Sequence, residues 1–258
     1  MLQQIFSSMP QQVIGQEIYN LVSVNSTNDY LRRMMDQEKL AEGTVVIAAD
    51  QHRGKGYGQN VWISKRGQNL TFSLVIYPDF LTADNQFLVS KAISLGISDF
   101  LNSYVNDVKI KWPNDIYVGN QKIGGILIEN DLVGSTMKAS LVGIGLNINQ
   151  LEFPRRLPNP VSLAQLTGRK HNLKTEFYKL LECLDHRYSM LNSSICIGKI
   201  NNEYHDRLFR LNQTSWFKQN ENEFSARIIG VNDYGQLILE DQYGKPREFN
   251  FKEVEFVI

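Results

Sequence analysis

The chain is poor in cysteine, free of net charge and without a long apolar run, and each absence removes a class of protein. Only Cys183 and Cys196 occur among 258 residues, with neither CxxC nor metal-ligand spacing. That usage suits a reducing compartment and two small hydrophobes, not a disulfide scaffold or a zinc site. The 27 basic and 27 acidic residues cancel, so a general binder of nucleic acid or membrane surface is not expected and any basic patch must be local. No apolar stretch approaches the ~18 residues that a membrane span needs, and Met1 to Phe6 lack the basic start of a secretory signal. Cytoplasmic location is the expectation. His171, His186 and His205 are scattered without ligand spacing, which points to packing or surface roles. There is also no GxxxxGK[ST] pattern, so any phosphate must be held by a device other than a P-loop.

What the chain does have is a segment unsuited to a core. After the β-branched run Thr44 to Ala49, read as a buried strand, comes Asp50-Gln51-His52-Arg53-Gly54-Lys55-Gly56-Tyr57-Gly58-Gln59-Asn60-Val61-Trp62. Three alternate glycines allow positive φ and close backbone approach to an anion. Arg53 and Lys55 add charge, and Tyr57 and Trp62 offer flat faces. Taken alone, the segment also reads as a solvated hairpin loop.

A second segment runs from Val108 to Glu129 and contains Lys111-Trp112-Pro113-Asn114-Asp115 and Lys122-Ile123-Gly124-Gly125. Gly119-Asn120 is a two-residue hairpin turn. In that register Tyr117 pairs with Lys122 and Asp115 with Gly124, which makes Asp115 and Lys122 diagonal neighbours on one face. An acid and an amine beside two residues without side chains suggest a ligand site; the alternative is an exposed cross-strand ion pair. In a third segment, Ala139 to Asn149, Gly143 and Gly145 share a face with Asn147 and make a smooth strand floor, for a flat ligand or for close packing.

The remaining pattern alternates strands and helices. Glu17 to Val24 reads as a strand, and Ser26-Thr27-Asn28 as a helix cap with a hydroxyl to spare for a ligand. Asn69 to Tyr77 reads as a strand with one face on the core, and Asp84 to Tyr104 as a helix over the sheet. Leu157 to Pro160 looks like a linker. A short helical pattern follows at 161–168, a longer one from Thr175 with an apolar stripe from Phe177 to Leu191, and a third from Lys199 to about Leu211. From Thr214 onward, short strands with Gly and Asp turns indicate a small β-barrel, giving domains 1–211 and 212–258.

Together these segments resemble the biotin protein ligases. The resemblance rests on Ser26-Thr27-Asn28, Gln51 with Gly54-Lys55-Gly56 through Trp62, Lys111 to Asp115, Lys122 with Gly124-Gly125, and Gly143 to Asn147. It implies an α+β fold, a mixed, largely antiparallel sheet flanked by helices as in class II synthetases, with an SH3-like C-terminal domain. The implied activity is that of a biotin–[acetyl-CoA-carboxylase] ligase. ATP and Mg²⁺ convert biotin to biotinyl-5′-AMP, and biotin then passes to a lysine of a biotin carboxyl carrier protein.

By the same resemblance Ser26, Thr27, Asn28, Gln51, Gly54, Lys122, Gly124 and Gly125 would meet biotin. Arg53, Lys55, Gly56, Tyr57, Trp62, Asn114 and Asn147 would meet ATP or the adenylate. Lys122 matches an essential lysine, catalytic with Lys55 and Asp115, and Asp115 would lie by the Mg²⁺. The loop departs from the pattern at Tyr57 and Gly58, where arginines are common, so Tyr57 is expected to replace a charge contact. Its glycines predict a loop that is not ordered before ligand binds. About 25 residues before Ser26 are too few for a winged helix, so specific DNA binding is not expected, and a homodimer through the sheet edges is left open. The alternatives are a lipoate or octanoate ligase or transferase, and an inactive vitamin-binding module.

Overall fold

The computed structural model describes residues 12–58 and 60–257, so Met1 to Phe6, Gln59 of the glycine-rich loop and Ile258 lie outside the described residues. The first half of the chain is β1 (Ile18–Leu21), α1 (Thr27–Gln37), β2 (Val45–Ala48), the short hairpin β3 (Gly54–Lys55) and β4 (Val61–Trp62), β5 (Leu70–Ile76) and α2 (Phe87–Asn102). Then follow β6 (Val108–Lys111), β7 (Asp115–Val118), β8 (Gln121–Val133), β9 (Thr136–Leu146), α3 (Leu163–Thr167), α4 (Leu173–Ser189) and α5 (Ser194–Asp206). The C-terminal strands are β10 (Thr214–Gln219), β11 (Asn222–Val231), β12 (Leu237–Asp241), β13 (Pro246–Phe249) and β14 (Glu255–Phe256).

Seven strands form the main sheet in the order β1-β2-β5-β9-β8-β7-β6. Only β1 and β2 are parallel within it, so the sheet is mixed. Its two faces differ. One packs on α2 and α4 through Phe72, Leu74, Ile93, Leu180 and Leu184, all fully buried or nearly so. The other is half covered by α1, through Leu31, Val46, Val75 and Leu141, and is otherwise left bare by glycines. Strand β5 is therefore buried along its whole length, where one core face was expected. Polar Thr71 and Ser73 alternate along β5 because they face α1 and the cleft beside it, not water.

Two further expectations are corrected. Asp115 pairs with Gly125 and Ile116 with Gly124, while Tyr117 still pairs with Lys122, so Ile123 is an extra residue and β8 carries a bulge. One inserted residue reverses the parity of the strand, which buries Ile123 and turns Gly124 to the core. The stretch 157–160 is not a linker: Asn159 O accepts from Lys122 N at 2.8 Å and Val161 N donates to Lys122 O at 3.0 Å. The C-terminal strands form one antiparallel sheet, β13-β12-β11-β10-β14, without a pairing that joins its two edge strands among the described residues. That sheet shares the main core, since Phe251 packs edge-on against Trp112 and Phe87.

The helical layer carries a charged network around Arg187. Arg187, nearly buried, pairs with Asp99 and Glu203, and Arg207 also reaches Asp99. Burial would raise the Asp99 carboxyl, but hydrogen bonds and charge from the two arginines hold it below the usual carboxylate range. A carboxyl depressed in the folded state adds stability above its unfolded pKa and loses it as pH falls through the folded value. Asp99→Asn is therefore expected to cost about 2 kcal/mol at neutral pH. It should also flatten the fall of melting temperature between pH ~5 and ~2; thermal unfolding of both proteins across that range checks it, and parallel curves would refute it.

Candidate active site

On the face left open beside α1 lies a cleft of about 560 Å³. Its floor is bare because β9 and β8 carry Gly143, Gly145 and Gly125 on this side. A Cβ at Gly143 would lie 3.0 Å from Asn28 Nδ2, and one at Gly145 2.5 Å from Trp62 Nε1. The glycines thus admit an amide and an indole onto the sheet, and ligand space remains between them.

At one end of the cleft, α1 begins. Ser26 is the N-cap of that helix, its hydroxyl accepting from Asp29 N. Ser26, Thr27 and Asn28 are all buried, because the helix start points into the cleft. Gln51 Oε1 accepts from Thr27 N at 2.8 Å and from Thr27 Oγ1 at 3.1 Å. Ser73 Oγ contacts both Thr27 Oγ1 and Asn28 Oδ1, and Asn28 Nδ2 donates to Glu129 at 3.1 Å. Thr71 Oγ1 lines the same end and is buried without a partner, as is Trp62 Nε1 among the described residues. Unpaired buried polar atoms are costly and are normally satisfied by water or ligand. This end therefore suits a compact ligand rich in carbonyl and N–H groups.

The other end is cationic. Lys122 Nζ lies 2.5 Å from Asp115 Oδ1 and 6.0 Å from the Trp62 ring. The bulge at Ile123 produces this arrangement: a Cβ at Gly125 would lie 3.6 Å from Lys122 Nζ and 3.3 Å from Trp62 Cζ3, so lysine, glycine and indole share one face. Backbone bonds from Asn159 and Val161 fix Lys122 on both sides of its own peptide. Lys55 is paired with Asp29. Lys111 lies 4.7 Å from the Phe256 ring and 5.5 Å from that of Tyr117; burial pushes its pKa down, with Asp115 acting in the opposite sense.

Several residues expected at the site stand elsewhere. Arg53 is exposed and is not part of the cleft wall. Gly54 is buried where a Cβ would strike Gln51 and Trp62, so it serves their packing. Gly124 faces Leu146 and Ile116 in the core. Asn147 lies behind the wall, donating to Val161 O at 3.0 Å with Oδ1 unpartnered. Asn114 does line the cleft, with Nδ2 donating to Ile126 O at 2.6 Å. Conversely, Thr71, Ser73, Lys111 and Lys252 received no site role from the sequence. Thr71 and Ser73 left a trace as polar residues alternating in an apolar strand, and Lys111 as the first residue of the Lys111-to-Asp115 motif; Lys252 left none.

Among the described residues no group of three or more His, Cys, Asp or Glu could hold a metal ion, and no helix is long and apolar enough to cross a membrane. The cleft wall carries two carboxylates, Asp115 and Glu255. Two carboxylates make a sparse donor set for a hard cation.

Residues 21–147 match the Biotin/lipoate A/B protein ligase family. The bifunctional ligase/repressor BirA of Bacillus spizizenii is 29% identical over 250 residues, covering 90% of this chain and 72% of BirA. The biotin–[acetyl-CoA-carboxylase] ligase of Paracoccus denitrificans is 28% identical over 211 residues, covering 78% of this chain and 85% of that one. In fold, the chain resembles the biotin protein ligase from Aquifex aeolicus in complex with biotin and ATP, with a TM-score of 0.78 at 22% identity over 94% of this chain and 100% of that one.

Proposed function

The chain belongs, through residues 21–147, to the biotin/lipoate A/B protein ligase family, and from that premise we propose that it joins biotin to the lysine of a carrier protein at the expense of ATP. The observation that carries the reading is the two-ended cleft. A hydroxyl- and amide-lined pocket at the start of α1 meets, across a glycine floor, the Lys122–Asp115 pair. Biotin is a small ureido bicycle with a carboxylate tail, and such a cleft can hold the ring at one end and present the carboxylate at the other.

In this reading Ser26, Thr27, Asn28 and Gln51 bind the ring, with Thr71 and Ser73 beside them, and Gly125 makes room for the chain. A carboxylate oxygen of biotin attacks the α-phosphorus of ATP; the bond to the β-phosphate oxygen breaks, and pyrophosphate leaves with the electron pair. Negative charge gathers on phosphoryl oxygens, and preorganised cations are the usual means of stabilising it. Lys122 and Lys55 supply them, each oriented by a carboxylate. Trp62, Tyr57, Gly56 and Asn114 would border the nucleotide, while Gly54, Gly124 and Asn147 support the wall and Arg53 stands outside it. Mg²⁺ would arrive on ATP, with Asp115 the nearest carboxylate to Lys122. In the second half-reaction the ε-amine of the carrier lysine attacks the acyl carbon, AMP leaves, and the amine gives up a proton.

We further propose residues 1–211 as the catalytic domain, 212–258 as an SH3-like C-terminal domain packed on it, the biotin carboxyl carrier protein of acetyl-CoA carboxylase or a related carboxylase as the acceptor, and the cytoplasm as the location. Pyrophosphate release from Mg·ATP is expected to require biotin, and labelled biotin to appear on a purified carrier domain only when the ligase is present. Release driven equally by lipoate or octanoate would shift the reading to those acids, and no release with any acid would leave a binding module.

A further inference from the structure

The C-terminal sheet reaches the cleft with one lysine. Resting on the ligase reading above, we propose that Lys252 binds the phosphate chain of the nucleoside triphosphate, supplying from the far end of the chain the cation that the apex of the glycine-rich loop lacks.

Residues 250–253 form a fixed turn between β13 and β14. Asn250 N donates to Glu253 Oε2 at 2.7 Å, Asn250 Nδ2 to Glu253 Oε1 at 3.1 Å, and Glu253 N to Asn250 O at 3.1 Å. Within it Lys252 has φ +71°, a left-handed conformation that a lysine seldom adopts and that its surroundings must impose. Phe251 anchors the turn, its ring 5.2 Å from Trp112 and 5.7 Å from Tyr57. The turn thereby delivers Lys252 to the cleft wall.

There the ammonium meets the loop. Nζ lies 5.3 Å from the centroid of the Tyr57 ring. A Cβ at Gly58, whose φ is +68°, would fall 2.5 Å from it. The ammonium thus occupies the space in which a side chain at position 58 would begin. The apex 56–58 has no cation of its own, and Arg53 is not in the wall.

The other lysines of the wall are engaged: Lys55 with Asp29, Lys122 with Asp115, and Lys111 buried against Phe256 and Tyr117. Lys252 makes no ion pair among the described residues and rests on an aromatic face. An exposed cation–π contact is weak, and a lysine exchanges it readily for a charge-assisted hydrogen bond to phosphate. Tyr57 is then the seat that aims the ammonium and not itself the nucleotide's charge partner.

The test is biotin-dependent pyrophosphate release by wild type, Lys252→Ala and Lys252→Arg, with ATP and biotin varied separately. Lys252→Ala is expected to raise KM for ATP about tenfold, the loss of one charge-assisted contact. KM for biotin and the melting temperature should stay unchanged, and Lys252→Arg should recover most of the loss. An unmoved KM for ATP, or a KM for biotin rising in parallel, would overturn the assignment. If wild type releases no pyrophosphate with biotin, the ligase reading has failed by itself. Equilibrium dialysis of Mg·ATP then decides for Lys252: weaker binding by Lys252→Ala upholds it and equal binding rejects it.

Discussion

Lys122→Ala is expected to lower biotin-dependent pyrophosphate release by about 10²–10³-fold. The ammonium is held from both directions, its backbone by Asn159 and Val161 and its charge by Asp115, and the neighbouring Lys111 is buried against Phe256 and Tyr117, away from that place. Its removal also leaves Asp115 facing the phosphates with only Lys111 as counter-charge, which adds repulsion to the lost attraction. Part of the loss should therefore return in the double variant Lys122→Ala/Asp115→Asn if repulsion contributes. Lys122→Arg should not restore activity, because a planar guanidinium cannot occupy the place of a compact ammonium beside Trp62. Quenched-flow measurement of pyrophosphate, with melting temperatures as a control on folding, checks this. Lys122→Ala activity within tenfold of wild type would remove Lys122 from the mechanism.

Gly145→Ala, a change of one methyl group, is expected to reduce kcat/KM for ATP by about 10²-fold. The new Cβ would lie inside contact distance of the Trp62 indole, 2.5 Å from Nε1. The indole cannot slide aside, since Gly54 packs against the backbone and Cβ of the same residue and Gly125 against its outer ring edge. It must tilt into the cleft and take space from the nucleotide. The same substitution at Gly198 in α5, where a Cβ would meet nothing within 4 Å and φ is not left-handed, should leave catalysis alone. Tryptophan emission and KM for ATP report the displacement together; if both stay at wild-type values, the packing of Trp62 on β9 is not what shapes the site.

What could be read from the sequence follows from how local its cause is. Ser26 caps α1 through a bond to Asp29, three residues away, and Gly119-Asn120 turns the hairpin within four residues. Both were legible for that reason. The bulge was not, because a β-branched Ile123 looks like any strand residue and only the depth of the core tells that it must turn inward. The Gly124-Gly125 pair marked the place without telling which glycine faced the ligand. Pro158-Asn159-Pro160 resembled a linker through its side chains, while its structural part is played by backbone groups of Asn159 and Val161, which composition does not reveal. Burial of β5 on both faces depends on α1 crossing the sheet, and Lys252 depends on a second sheet folding back. Both are properties of long-range docking.

The extra residue at Ile123 also bears on how this chain can vary. Between the turn at Gly119-Asn120 and the floor at Gly125, side chains can be exchanged singly at a graded cost. Deleting Ile123 would remove the bulge and return the strand to plain alternation, with Lys122 and Gly125 still on one face and one buried isoleucine lost from the core. The cost of a shorter hairpin thus falls on the packing beneath the cleft and not on its lysine. Alignments of relatives should read a one-residue gap in this interval as a straightened strand, not as the loss of the site.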